Sequence, residues 1–328
     1  MTMMAEEQIK NTTENKNLPE KSGGCTLCPR KCGADRASGQ RGVCGCGKYP
    51  VIARAAAHFG EEPCISGTKG SGAIFFSGCP LHCVYCQNIG ISRSDSITAP
   101  GSGVFGIPAD ASRIAGIMLR LEASGVHNIN FVTPTPHTET IIRAIETARL
   151  GGFRLPVVWN CGGYETVETI QMLKGYVSVY LPDFKYSSSY VAEKYSAAPD
   201  YPEVVEEAIA EMFRQVGPYA ADENGILRRG VLVRHLVLPG EPGNTRGVLD
   251  RLARYPRHSI LVSLMGQYTP IGSIGEKFPE LSSPLSAEEY AEAEEYLEAL
   301  GIEDGYTQQP DASGTGEIPA FDGTGVLG

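Results

Sequence analysis

The chain has 328 residues, 42% hydrophobic and 20% charged, which is enough to bury one large core or two smaller ones and excludes a disordered or fibrous protein. Lys and Arg number 28 against 38 Asp and Glu; the formal charge of -10 repels phosphate backbones and anionic membrane surfaces, so broad nucleic-acid binding is not expected. No apolar run approaches the roughly eighteen residues of a membrane span and the start has no apolar signal core, so a soluble cytoplasmic protein is expected.

Residues 1–24 lack periodic hydrophobics, are rich in Asn, Glu, Lys and Gly, and read as a disordered tail. Residues 25–69 are Gly- and Cys-rich with little secondary-structure pattern, as in a small module held by ligands because its core is too small. Nine of the ten cysteines lie between Cys25 and Cys86, with only Cys161 apart. In a reducing compartment such grouping reads as metal or cluster ligation before disulfides. Cys25, Cys28, Cys32 and Cys44 have two, three and eleven residues between them, with Cys46 and Cys64 as spare thiols. Four thiolates would bind zinc tetrahedrally or ligate an auxiliary [4Fe-4S] cluster. Zinc would serve only to fold the module, whereas a cluster would also relay an electron.

From residue 70 to 268, short apolar strands alternate with helical spacings. The strands are expected at Ala73 to Phe76, Asn128 to Val132, Pro156 to Trp159, Val177 to Leu181, Val231 to Leu238 and Ser259 to Leu264. Between them Ile114, Ile117, Met118 and Leu121 share a helical face. So do Ile141, Ile142 and Ile145; Val167, Ile170 and Leu173; Val205, Ile209, Met212 and Val216; and Val248, Leu249 and Leu252. This alternation predicts an α/β fold, a parallel sheet partly closed into a (β/α)6 barrel with functional loops at the strand C-terminal ends. Residues 269–328 form a carboxy-terminal extension. It holds one helix from about Ala287 to Leu300, opened by a Ser286/Glu289 capping box, and a Gly- and Pro-rich tail in which Ile318, Phe321 and Val326 could dock on the body.

Directly after the first expected strand the sequence reads SGCPLHCVYCQN, with Cys79, Cys83 and Cys86 separated by three and then two residues. Three thiolates on one tight loop can hold three irons of a [4Fe-4S] cluster and leave the fourth open to an exchangeable ligand. This loop, with Tyr85 just before its last cysteine, resembles the signature of the radical S-adenosylmethionine (SAM) superfamily. CTLCPRKCG and RGVCG near the start, EEPCISGTKGSGAIFFSGC, YLPDFKYSSSY and VRHLVLPG extend the likeness to the pyruvate formate-lyase activating-enzyme-like group.

The resemblance implies that SAM chelates the open iron and is cleaved by an electron from the reduced cluster to methionine and a 5′-deoxyadenosyl radical, which takes hydrogen from a substrate. It also implies cofactor contacts. Thr133 and Thr135 occupy the strand end where many members carry a Gly-Gly-Glu run, and Asn160 stands where a polar side chain nears the SAM ribose. Asp183 and Lys185 match an Asp-x-Lys element, and Arg234 faces inward toward the SAM carboxylate. His235, one residue on, then points toward the helices as a packed histidine, with ligation as the alternative. Cys161 and His137 are the candidate catalytic groups, for hydrogen donation and acid–base work, against packed roles for both. The expected partners are an electron donor such as flavodoxin or ferredoxin and a protein substrate offering a glycine. Modification of a small molecule or peptide, and a non-catalytic iron–sulfur electron-transfer protein, are the alternatives.

Overall fold

The computed structural model describes residues 24–93, 105–308 and 319–327; most of the expected tail and Ile318 lie outside the described residues. The described strands are β1 (Val51–His58), β2 (Ser71–Phe76), β3 (Ile107–Pro108), β4 (Ile129–Val132), β5 (Val157–Cys161), β6 (Val179–Pro182), β7 (Ala220–Ala221), β8 (Leu227–Leu236), β9 (Leu261–Met265) and β10 (Gly305–Thr307). They join in the order β10-β9-β8-β6-β5-β4-β2-β1-β3, with β7 hairpinned onto β8. The six expected strands are β2, β4, β5, β6, β8 and β9, all parallel; β10 adds to β9 in parallel as well.

Helices Ala111–Ala123, Thr138–Leu150, Val167–Met172, Tyr201–Val216 and Pro242–Leu252 lie between the parallel strands, where the apolar spacings place them. Their buried stripes, among them Ile114, Ile141, Ile170, Val205 and Val248, pack against Phe131, Trp159, Tyr180 and Val233 on the outer face of the sheet. The alternate residues Val158, Val179, Leu181, Leu232 and Leu261 face the other way and form a separate cluster with Cys64 and Ile65. Helices outside and an enclosed inner cluster make the sheet an open α/β barrel, as expected from the sequence. The segment 60–66 enters this barrel: its one-turn helix Pro63–Ser66 buries Cys64, Ile65 and Ser66, and Asn128 Nδ2 donates to the Ile65 carbonyl (2.8 Å).

Residues 51–58 depart from the expectation of little regular structure. They form β1, antiparallel to β2 and half of it alanine, so its strand character comes from the exposed edge of β2 rather than from its own propensity. Strand β10 and the helix Ser189–Ser196 were also not expected. The carboxy-terminal helix Ala287–Ala299 carries both hydrogen bonds of the expected capping box. Residues 319–327 return to the far edge of the sheet. Gly323 N donates to Ala53 O (2.8 Å), Ala55 N donates to Thr324 O (2.9 Å), Phe321 packs edge-on against Phe75, and Val326 is buried. The tail thus covers the β1 edge left open beyond the two-residue β3. No helix among the described residues is long and apolar enough to cross a membrane.

Candidate functional site

The chain leaves β2 through Ser77 and Gly78. Gly78 has φ of +90° and its α-carbon faces the amino-terminal module: a Cβ there would lie 2.5 Å from Cys46 Sγ and 2.6 Å from Cys44 O, so only glycine passes. Cys79, Cys83 and Cys86 then turn around one cavity of about 260 Å³. The loop is held from outside by two arginines. Arg30 Nε donates to Pro80 O (3.0 Å) and Arg93 Nη2 to Cys83 O (3.2 Å). Inside, Tyr85 OH donates to Tyr186 OH (2.7 Å), Tyr186 shares a hydrogen bond with Ser196 Oγ (2.7 Å), and Ser196 donates to Cys83 Sγ (3.1 Å). This relay ends on the Cys83 sulfur and fixes the loop's position against the barrel wall.

Burial pushes the Cys79 thiol up to about 12, with Cys83 and Cys86 adding to the shift. Burial and Cys83 also raise Cys86. All three are free of disulfides. Mutually repelling buried sulfur donors on one wall are stabilised as thiolates by metal cations, and soft sulfur suits iron, so the set fits an iron–sulfur cluster. Among the described residues no three Cys, His, Asp or Glu side chains close on a single point as the ligands of one ion do. Thiolates of a cluster sit on different irons and stand further apart.

The rest of the cavity wall comes from the C-terminal ends of β2, β4, β5, β6, β8 and β9. Tyr85, Thr133, Thr135, Asn160, Cys161, Asp183, Lys185 and Arg234 all line it. Thr133 sits at φ of +57°, a strained conformation for a β-branched residue, pinned by its N–H on Asn160 O (2.9 Å). Lys185 Nζ meets Asp183 Oδ2 at 2.5 Å. Burial opposes the lysine charge, but Asp183 outweighs it and holds Lys185 protonated.

Two candidates lie elsewhere. His235 is fully buried on the helix side, its ring between Phe184 O (2.7 Å) and Thr245 Oγ1 (3.0 Å). Burial drives it down to about 4, so it is the neutral packed histidine and not a cofactor contact. His137 packs beside Phe76, and burial, reinforced by Arg36, drives it down to about 3. His137 does not line the cavity, so the fold does not bring it to the place where acid–base work was expected of it.

Arg234 points inward as expected but is already engaged. It forks onto Glu62, Nε to Oε1 at 2.8 Å and Nη2 to Oε2, and its Nη2 also bonds Glu61. Glu61 further accepts from Asn130 Nδ2 (2.7 Å) and Asn160 Nδ2 (3.3 Å). Burial alone would raise Glu62, but Arg234 overrides it and holds the carboxyl below its ordinary range. Two carboxylates on one guanidinium leave this floor one negative charge in excess, with Glu61 facing the cavity. The signal was the adjacent acids in the EEPC run, immediately before a proline that opens a helix.

Glu165 was also missed, although it closes the WNCGGYE run. It is buried at the cavity wall, where Thr135 Oγ1 donates to its Oε1 (2.7 Å) and its Oε2 has no hydrogen-bond partner. Burial pushes its carboxyl up to about 7 against the pull of Thr135 and Cys161. Cys161 beside it is raised by burial and by Glu165. Between them, Gly163 has φ of +74°, and a Cβ there would lie 2.2 Å from Asp183 O. Gly163→Ala is therefore expected to cost about 2–3 kcal/mol, read as a lower thermal midpoint; an unchanged midpoint would show that the turn relaxes freely.

The amino-terminal cysteines gather beside this cavity. A Cβ on Gly42 would lie 3.2 Å from Cys32 Sγ and 3.3 Å from Cys44 Sγ. Burial raises Cys28 to about 12, with Cys44, Cys25 and Cys32 adding their repulsion. Arg36 Nη2 donates to Cys44 Sγ (3.5 Å). Cys46 is buried next to Cys44, while Cys64 stands apart inside the barrel.

No family model matches the chain. An uncharacterized protein of Methanocaldococcus jannaschii is 29% identical over 285 residues, covering 85% of this chain and 75% of that protein. Among solved structures, a domain of a pyruvate-formate lyase-activating enzyme from Bacteroides vulgatus is similar with a TM-score of 0.40 and 15% identity, covering 56% of this chain and 99% of that one. SuiB of Streptococcus suis, solved bound to S-adenosylmethionine, has a TM-score of 0.43 and 10% identity over 73% of this chain and 46% of its own.

Proposed function

We propose that the protein is a radical SAM enzyme, with Cys79, Cys83 and Cys86 holding three irons of a [4Fe-4S] cluster and SAM in the adjoining cavity. The observation that supports this most is that three thiols of one loop share a cavity with the polar ends of the barrel strands that follow. When bound, cluster and SAM together supply one-electron cleavage of the sulfonium and a carbon radical that removes hydrogen from a substrate.

The chain's own residues do the rest. Ser196 feeds a hydrogen bond to Cys83, the end of the tyrosine relay. The excess negative charge around Glu61 suits a ligand carrying sulfonium and ammonium charges, and Lys185 suits its carboxylate. Arg234 works as the positioning residue that holds Glu61 and keeps Glu62 ionised inside the barrel. Following the activating-enzyme resemblance, the substrate is a glycine of a partner protein, and the electron comes from a flavodoxin- or ferredoxin-class donor.

The test is anaerobic. Reconstituted with iron and sulfide, reduced with dithionite and given SAM, the wild type is expected to release 5′-deoxyadenosine and Cys83→Ala none above background. A fully loaded, reduced wild type that leaves SAM intact would overturn the reading in favour of an electron-transfer protein.

A further inference from the structure

We propose that Cys25, Cys28, Cys32 and Cys44 form a second iron–sulfur site, seated against the three-cysteine loop through Cys46, and that this site delivers the electron to the cavity. The electron-delivery part rests on the radical SAM reading; the metal site does not.

Three features carry it. The first is the donor set. None of the four thiols is in a disulfide; Cys32 and Cys44 meet at Gly42, Cys25 and Cys28 interact electrostatically with both, and the first stretch is closed on itself by Cys25 N donating to Ala34 O and Gly33 N to Cys25 O (both 3.1 Å). So small a loop, with hardly any apolar content of its own, needs ligation to hold this shape.

The second is Arg36. Its guanidinium lies among the sulfurs, with Nη2 on Cys44 Sγ, while Nε is buried with no partner. A half-buried guanidinium beside these thiols, with its Nε buried and unused, matches an anionic cluster whose sulfides accept hydrogen bonds, a contact that tunes reduction potential. A single zinc ion offers no bridging sulfide to that donor.

The third is the docking. Cys46 is 3% exposed, its sulfur 3.5 Å from Ser77 O, and it packs where any Cβ on Gly78 would be. Cys46 Sγ and Cys44 O both border Gly78, the residue immediately before Cys79. Arg30, two residues after Cys28, fastens the module to Pro80 of the same loop. A module that used its metal only to fold would have no need of this contact.

The step moves one electron and breaks no bond. The second cluster is oxidised by one electron as the cavity cluster is reduced by one, and a one-electron iron–sulfur or flavin donor protein restores it.

The experiment loads ferrous iron and sulfide anaerobically into the full chain with zinc present as a competitor, then counts metals and records EPR spectra after dithionite reduction. About eight irons are expected in the wild type and in Cys46→Ser, and about four in Cys79→Ala/Cys83→Ala/Cys86→Ala and in Cys32→Ala/Cys44→Ala. The wild-type spectrum is expected to show magnetic interaction that neither multiple variant shows. The cavity-cysteine variant leaves the module untouched, so its iron content answers even if the other variant folds poorly. No iron there, or one zinc in its place, would overturn the site. Iron lost from Cys46→Ser would overturn the ligand set, and a wild-type spectrum equal to the sum of the two variants would overturn the relay. Failure of the wild type to cleave SAM with eight irons bound would count against the cavity reading alone.

Discussion

Arg234→Met is expected to lower the stability of the protein by about 3–5 kcal/mol at neutral pH, measured as a fall in the urea midpoint. Methionine fills much of the arginine's volume, so lost packing contributes little. What remains is Glu61 and Glu62, each with a side chain 7% exposed, facing one another inside the barrel without their shared cation. Asn130 and Asn160 give Glu61 dipoles but no charge.

The pH dependence separates this cause from a packing defect. In the wild type the Glu62 carboxyl is held below its ordinary value, so its stabilisation is present above the unfolded value of about 4.5 and is lost as pH falls through the lower folded one. Without Arg234, burial is opposed only by the hydrogen bonds to Ser263 and the backbone and raises the carboxyl. The variant then gains stability as pH falls toward 4.5, because protonation removes the uncompensated charge. The gap between the two proteins should narrow from pH 8 to pH 5. A gap constant over that range would show that the damage is steric.

Glu165→Gln is expected to act in the opposite direction, stabilising the protein by roughly 3 kcal/mol above pH 7. Glutamine keeps an oxygen for the Thr135 hydroxyl and places an NH2 where the carboxylate has its unpartnered oxygen. The wild-type carboxyl, pushed from 4.5 to about 7 by burial, favours the folded state while it is protonated. That advantage is complete below pH 4.5 and is lost as pH rises through about 7. The amide has no charge to desolvate and loses nothing. Stability curves of wild type and variant should therefore coincide near pH 4.5 and separate up to about pH 7.5; parallel curves would mean that Glu165 ionises in the fold as freely as in water.

A carboxyl kept near neutrality at the cavity wall, beside a buried thiol, is what proton transfer at a substrate requires. The same variant is thus expected to change the pH profile of any substrate-dependent turnover, while leaving SAM cleavage at fixed pH dependent on the three-cysteine loop. The stability gained by removing Glu165 is what one expects of a group retained for chemistry rather than for folding.

Much of this was legible in residue order. The six parallel strands announced themselves because each is buried on both faces and reads as a short apolar run, and the helices because one stripe of each packs on the sheet. The capping box at Ser286 was legible because it is local. The loop of Cys79, Cys83 and Cys86 was legible because its three thiols are seven residues apart end to end, and its place after a strand put it at the barrel mouth. That Arg234 and His235 face opposite ways followed from strand alternation, and that Arg234 is the inward one was what the resemblance implied.

What sequence did not reveal is what depends on distant segments meeting. Strand β1 exists because β2 needs an antiparallel neighbour and the tail at residues 319–327 covers its far side. Glu61 and Glu62 look like surface acids until the chain turns inward and sets them on Arg234, more than 170 residues away. His137, one residue from a strand-end loop, looks like a catalytic group until burial beside Phe76 removes its charge. Sequence by itself determined the six parallel strands, five of the helices between them and the spacing of the three thiols, since local spacing and the two-sided burial of a parallel sheet are written in neighbouring residues. Tertiary structure alone decided which charges are neutralised, which carboxyl keeps its proton and which thiol stands between the two groups of cysteines, because burial and long-range electrostatics belong to the folded chain.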